Sequence, residues 1–224
     1  RSASADITEL PGHAIRIRGQ ARLRGTNHRV IPDMLEVGTL LVAGALIGDQ
    51  LTISDVNLDH LDIILLKLKQ IGARIITAGP ATSASITISA TADLRPFQLQ
   101  ALPYPGFPTD LQEPFSLLAT QSQGSSMIHD PLFDDRMRHI PELVKMGARA
   151  VVCDPHRSII TGSTPLSAYE VKSPNIRAGG MFVIAGLLAT GTTIIHDVEQ
   201  TIDRGYERWE ERLNKIGAVI KRVD

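Results

Sequence analysis

Apolar and polar positions along the chain fall into a pattern that repeats three times, with a period of roughly seventy residues. Each repeat opens with an apolar run at helical spacing, over residues 38–47, 115–121 and 180–189. Each run stops at a glycine suited to a left-handed helix end, Gly48, Gly124 and Gly191. A short strand ending in aspartate follows each time, over residues 51–55, 127–130 and 193–197. A second, amphipathic helix comes next. Its buried face is predicted from Leu61, Ile64, Leu65, Leu68 and Ile71 in the first repeat. Ile140, Leu143, Val144 and Met146 play that part in the second, and Tyr206, Trp209, Leu213 and Ile216 in the third. These helices end at Gly72, Gly147 and Gly217, each followed by alanine and a predicted strand such as Arg74-Ile-Ile or Ala150-Val-Val. Residues 84–89 and 158–160 read as a further strand in the first two repeats.

The pattern gives an α/β (α+β) chain of helix-strand-helix-strand units at about 36–90, 109–161 and 176–224. One such unit cannot bury both of its helices alone. Three packed about a common axis could, with helices inside and sheets outside, although periodicity does not by itself require that arrangement. Residues 1–35 lie outside the plan and are expected to lead in from an adjoining domain, with Ala14-Ile-Arg-Ile-Arg18 reading as a strand.

Composition narrows the function. The chain has 224 residues, 43% of them hydrophobic and 21% charged, which is ordinary for a globular protein. Its 23 Lys and Arg against 24 Asp and Glu leave a net charge of -1, without the basic excess of a nucleic-acid binder. The single cysteine, Cys153, excludes an internal disulfide framework and fits a reducing, cytoplasmic setting. No apolar run reaches the ~18 residues of a membrane span, so no membrane partner is expected. The chain lacks an initiator methionine and reads as a fragment or a trimmed chain. His129 and His196 hold equivalent strand-end positions, while His13, His28, His60, His139 and His156 are scattered without metal-ligand spacing. With no phosphate-binding glycine loop either, no metal or cofactor is expected.

Four motifs carry a resemblance to a known family. They are Pro105-Gly-Phe-Pro-Thr-Asp-Leu-Gln112, then Leu132-Phe-Asp-Asp-Arg-Met137 running on to His139-Ile-Pro-Glu-Leu143, then Ile202-Asp-Arg-Gly-Tyr-Glu-Arg208, and the lead-in Arg29-Val-Ile-Pro-Asp33. In their order along the chain they resemble the C-terminal domain of UDP-N-acetylglucosamine 1-carboxyvinyltransferases, over nearly the whole chain. The resemblance implies an inside-out α/β barrel of three repeats, helices central and sheets outside, forming one of two similar domains. It implies transfer of enolpyruvate from phosphoenolpyruvate to the 3'-hydroxyl of UDP-N-acetylglucosamine, with release of phosphate. The family's N-terminal Lys-Asn pair and its proton-donor loop have no match here, so this chain is expected to be inactive without that domain. Cys153 is not the loop cysteine. Two alternatives remain open: a stand-alone nucleotide-sugar binding or regulatory module, and a shikimate-3-phosphate enolpyruvyl transferase domain.

Each candidate site residue has a plainer role beside the implied one. Asp110 matches the catalytic aspartate, a base for the hydroxyl proton, and it is also placed to cap a helix. Arg204 is implied to contact phosphoenolpyruvate through its planar guanidinium, or it forms a surface ion pair with Asp203 or Glu207. Arg177 offers an anion site beside a helix N-terminus, or it buttresses Asn175 or a nearby carboxylate. Leu132 and Arg136 match positions near the nucleotide sugar, Leu132 through its backbone, while Arg136 has the alternative of pairing with Asp134 or Asp135. One departure stands out: the family commonly carries aspartate where this chain has Asn175.

Overall fold

A computed structural model describes residues 2–12 and 14–223. His13 lies outside the described residues. The chain divides into two compact units, Arg1–Ile31 and Pro32–Asp224. In the first, β1 (Asp6–Leu10) and β2 (Ala14–Arg18) form an antiparallel hairpin in which Asp6 faces Arg18 and Leu10 faces Ala14.

The second unit begins with α1 (Met34–Leu46), whose first turn is capped by the Asp33 carboxylate accepting from the Leu35 amide at 2.8 Å. There follow β3 (Gln50–Val56), α2 (Asp62–Ile71), β4 (Arg74–Ala78) and β5 (Ala84–Ser89), which pair antiparallel in the order β3-β5-β4. The next repeat contains β6 (Gln98–Gln100), α3 (Gln112–Gln121), β7 (Gly124–His129), α4 (His139–Lys145), β8 (Arg149–Asp154) and β9 (Arg157–Gly162). Its sheet order is β6-β7-β9-β8, with β6 parallel to β7 and the other pairs antiparallel. The last repeat contains β10 (Glu170–Lys172), α5 (Ile176–Leu188), β11 (Ile194–His196), α6 (Val198–Thr201) and α7 (Trp209–Asn214), with β10 parallel to β11.

The three apolar helices α1, α3 and α5 pack on one another, and the sheets lie outside them. α3 is buried from Gln112 to Thr120, as its place between the other two demands. The sheets stay separate, and none closes into a barrel among the described residues. Residues buried on the inner faces of the first two sheets, Ile86, Ile88, Ile128 and Ile160 among them, join α1, α2 and α3 in one core. A second core joins α5 to Tyr206, Trp209 and Leu213.

Small residues on the central helices allow close approach. A Cβ built on Gly180 would lie 2.5 Å from the ring of Tyr206, which is buried and held through its hydroxyl by Thr39 at 3.0 Å. A rigid ring in that position cannot yield. Gly180→Ala is therefore expected to lower stability by about 1–3 kcal/mol from overpacking, even though alanine favours a helix by ~1 kcal/mol. Urea unfolding measures it, and an unchanged midpoint would contradict the packing described.

Glycines end the outer helices as the pattern predicts, with φ of 108° at Gly72, 104° at Gly147 and 107° at Gly217. Three expectations need correction. Val144 is exposed because the buried stripe of α4 runs through Ile140 and Leu143, and Ile216 is exposed because α7 ends at Asn214. The strand expected after Gly217 does not form among the described residues, so the third sheet has two strands where the others have three and four. Conversely, the apolar pattern does not predict β6 or β10, since three residues show too little alternation to stand out.

Candidate functional site

Asp110 stands in a 3₁₀ turn, Thr109–Leu111, that leads from Pro108 into α3. Its carboxylate caps no amide of that turn or of the helix. It is held by two arginines instead. Oδ1 accepts from Arg136 Nη2 at 2.6 Å, and Oδ2 accepts from Arg177 Nε at 3.4 Å. The Asp110 side chain keeps 37% of its surface exposed, against 21% for Arg136 and 15% for Arg177. A carboxylate held between two mostly covered guanidiniums keeps its orientation while still reaching solvent.

Arg136 is fixed from both ends. Its carbonyl accepts from Gln112 Nε2 at 2.9 Å and from His139 Nδ1 at 3.1 Å, so that α3 and α4 clamp the backbone. Burial pushes His139 down to about 3, and the ring is neutral, with Nε2 facing the Ser116 hydroxyl at 2.9 Å. The guanidinium also donates to Thr109 Oγ1 at 3.2 Å and lies 3.8 Å from Asp130 and 3.9 Å from Glu113. It does not pair with Asp134 or Asp135. Those residues take His156 and Arg138, so the plainer pairing expected for Arg136 does not form.

Asp130 is buried and organises the neighbouring loop. It accepts from Thr109 Oγ1 through one oxygen and from the Leu132 amide at 3.0 Å through the other. That holds Leu132 on the wall of a recess of about 630 Å³, which Asp110, Arg136, Phe133, Tyr104 and Leu102 also line.

Arg177 enters from the N-terminus of α5. Asn175 caps this helix, its Oδ1 accepting from the Arg177 and Ala178 amides at 2.9 Å each. The Arg177 guanidinium sits 5.5 Å from the centre of the Tyr206 ring and 4.0 Å from Asp33. It thus buttresses a carboxylate, and that carboxylate is Asp110.

Arg204 lies elsewhere. It lines a separate recess of about 600 Å³ with Glu36, Asp203, Tyr206, Glu207 and Arg208. Asp203 is committed to Arg222, through bonds of 2.8 and 2.9 Å. Among the described residues Arg204 itself makes no hydrogen bond or ion pair. The structure therefore gathers Asp110, Leu132, Arg136 and Arg177 and leaves Arg204 exposed at the second recess, next to Gly205, whose Cβ position lies 3.6 Å from Arg177 Nη1. Cys153 is an exposed residue of β8. No cluster of three or more His, Cys, Asp or Glu is arranged to hold a metal among the described residues, and no helix there is long and apolar enough to cross a membrane.

Sequence reasoning missed Glu113. It is fully buried in the first turn of α3, 3.9 Å from Arg136 and 3.3 Å from Asn175 Nδ2. Burial pushes its carboxyl up to about 7, opposed chiefly by Arg136. The available signal was an acid between Gln112 and Pro114, at the head of an apolar helical run.

The family model described as EPSP synthase (3-phosphoshikimate 1-carboxyvinyltransferase) matches residues 1–213. The chain belongs to the EPSP synthase family. Relatives named UDP-N-acetylglucosamine 1-carboxyvinyltransferase share 40% identity in Koribacter versatilis and 41% in Acidobacterium capsulatum, over 98% and 93% of this chain and 49% and 47% of those proteins. A relative in Bacillus subtilis, UDP-N-acetylglucosamine 1-carboxyvinyltransferase 2, is 39% identical over 99% of this chain and 50% of its own length. The chain thus spans about half the length of the relatives it matches. Among solved structures, the enolpyruvyl transferase NikO from Streptomyces tendae superposes with a TM-score of 0.88 at 27% identity, over 98% of this chain and 52% of that one. EPSP synthase from Acinetobacter baumannii, at 21% identity and a TM-score of 0.77 over 100% of this chain and 54% of that one, shares the fold.

Proposed function

We propose that this chain is the C-terminal half of a UDP-N-acetylglucosamine 1-carboxyvinyltransferase. The reaction moves enolpyruvate from phosphoenolpyruvate to the sugar 3'-hydroxyl and releases phosphate, the first committed step of peptidoglycan synthesis in the cytoplasm. The observation that carries this reading is Asp110, a partly exposed carboxylate held by Arg136 and Arg177 at the edge of a recess.

Asp110 takes the proton of the attacking hydroxyl. Arg136 and Arg177 hold it in place and add positive potential where a substrate bearing phosphate and carboxylate must sit. The Leu132 backbone and Arg136 face the nucleotide sugar. Arg204, exposed and uncommitted among the described residues, meets phosphoenolpyruvate across a cleft that the N-terminal half closes. Alone, this chain releases no phosphate.

Acceptor choice tests the reading. A protein joining this chain to the N-terminal half of a relative is assayed for phosphate release from phosphoenolpyruvate, with UDP-N-acetylglucosamine or shikimate 3-phosphate as acceptor. Turnover is expected with the nucleotide sugar. Turnover with shikimate 3-phosphate alone overturns the substrate assignment. Tight binding of the sugar nucleotide without turnover favours a binding module.

A further inference from the structure

Glu113 is a carboxylate with no exposed side-chain surface, three residues beyond Asp110. Its Oε1 accepts from Asn175 Nδ2 at 3.3 Å, and its Oε2 meets no partner among the described residues. Burying an acid this way is costly unless the charge is used or neutralised.

The Asn175 amide cannot turn away. Its oxygen is committed to two amides at the N-terminus of α5, so its amino group has to face Glu113. The capping need of one helix thereby dictates the partner of a carboxylate on another. The groups facing Glu113 are Arg136 from the loop before α4, Asp110 from the turn before α3 and Asn175 from the cap of α5. The Tyr206 phenol feels its charge from the segment before α7.

We propose that Glu113 is a positioning residue whose carboxylate, oriented by Asn175, competes with Asp110 for Arg136, and that the Glu113–Asn175 pair accommodates one carboxylate and one amide. An aspartate at 175 would still suit the helix N-terminus, but it would set a second negative charge against Glu113 in a buried place. A glutamine at 113 would leave Arg136 to Asp110 and Asp130 alone. The consequence for turnover rests on Asp110 being the base; the coupling of Glu113 to Asn175 and Arg136 does not.

With its carboxyl raised to about 7, Glu113 changes charge in the neutral range. A raised carboxyl favours the folded state while protonated. That contribution is complete below 4.5, the ordinary value, and is lost as pH rises through about 7.

The test uses the 224-residue chain, its Glu113→Gln and Asn175→Asp variants and the double variant. NMR follows the Nε–H resonance of Arg136 across pH, and urea unfolding is compared at about pH 5 and about pH 8, either side of the titration. The Arg136 signal is expected to titrate with a midpoint near that of Glu113, and to lose this step in Glu113→Gln. Asn175→Asp is expected to lower the urea midpoint more at the higher pH, and to lose most of that effect when Glu113 is glutamine. A flat Arg136 signal in the parent, or an Asn175→Asp penalty equal in both backgrounds, overturns the proposal. Neither readout needs turnover, so failure here is distinct from failure of the functional assignment.

Discussion

Replacing Asp110 by asparagine is expected to lower kcat by about 10²–10⁴ in a protein joining this chain to the N-terminal half of a relative, the range typical of losing a positioned general base. Asparagine keeps the shape and an acceptor for Arg136, so the recess survives. It cannot take the hydroxyl proton. KM should change far less than kcat, since the groups proposed to bind substrate remain. The measurement is steady-state phosphate release, with substrate affinity checked separately by calorimetry. A variant with full kcat would remove Asp110 from the chemistry and leave it as an anchor for two arginines.

The second large effect is expected on stability, from Arg136→Met. Among the described residues Arg136 is the one cation bonded or close to Asp110, Asp130 and Glu113 together, and the last two have no exposed side-chain surface. Methionine fills similar space without charge. Breaking a buried ion-pair cluster from one side costs about 3–5 kcal/mol, because the remaining carboxylates are left uncompensated. The deficit should grow with pH. Arg136 is the main influence holding the Glu113 carboxyl down, so its loss moves that raised value higher still. The variant then loses further stability over a window above the parent's, while at mildly acid pH protonated Glu113 relieves part of the strain. Urea unfolding at several pH values reads this. A constant or negligible deficit would mean that the three carboxylates are not organised by Arg136.

How far the sequence revealed this molecule follows from what kind of signal each part leaves. The central helices α1, α3 and α5 were legible because burial on all sides writes a dense apolar run. The glycines closing α2, α4 and α7 were legible because a left-handed residue is needed there. β6 and β10 were not, since three residues pairing in parallel across a helix leave no periodicity of their own. The site divides in the same way. Asp110 and Arg136 are legible through motifs and Arg177 through its place before an apolar helix, yet their convergence is a tertiary fact: Asp110 and Arg177 are 67 residues apart in sequence. Asn175 stood out as a departure, and only the structure gave it a role, as a cap whose amino group meets Glu113. Glu113 escaped notice because an acid in the first turn of a helix is usually a solvated one.

Arg204 illustrates the limit of reasoning from motifs alone. The motif joins it to Asp110 in function, and the structure sets it on a different recess, with Tyr206 touching both Arg177 and that recess. The proposed cleft closes that gap only with the N-terminal half in place.

The most direct test of the central proposal is complementation. Phosphate release from phosphoenolpyruvate and UDP-N-acetylglucosamine is measured for this chain alone, for the N-terminal half of a relative alone, and for the two joined, with and without Asp110→Ala. Release is predicted only for the joined protein that retains Asp110. Release by this chain alone, or by the joined Asp110→Ala protein at the parent rate, would contradict it.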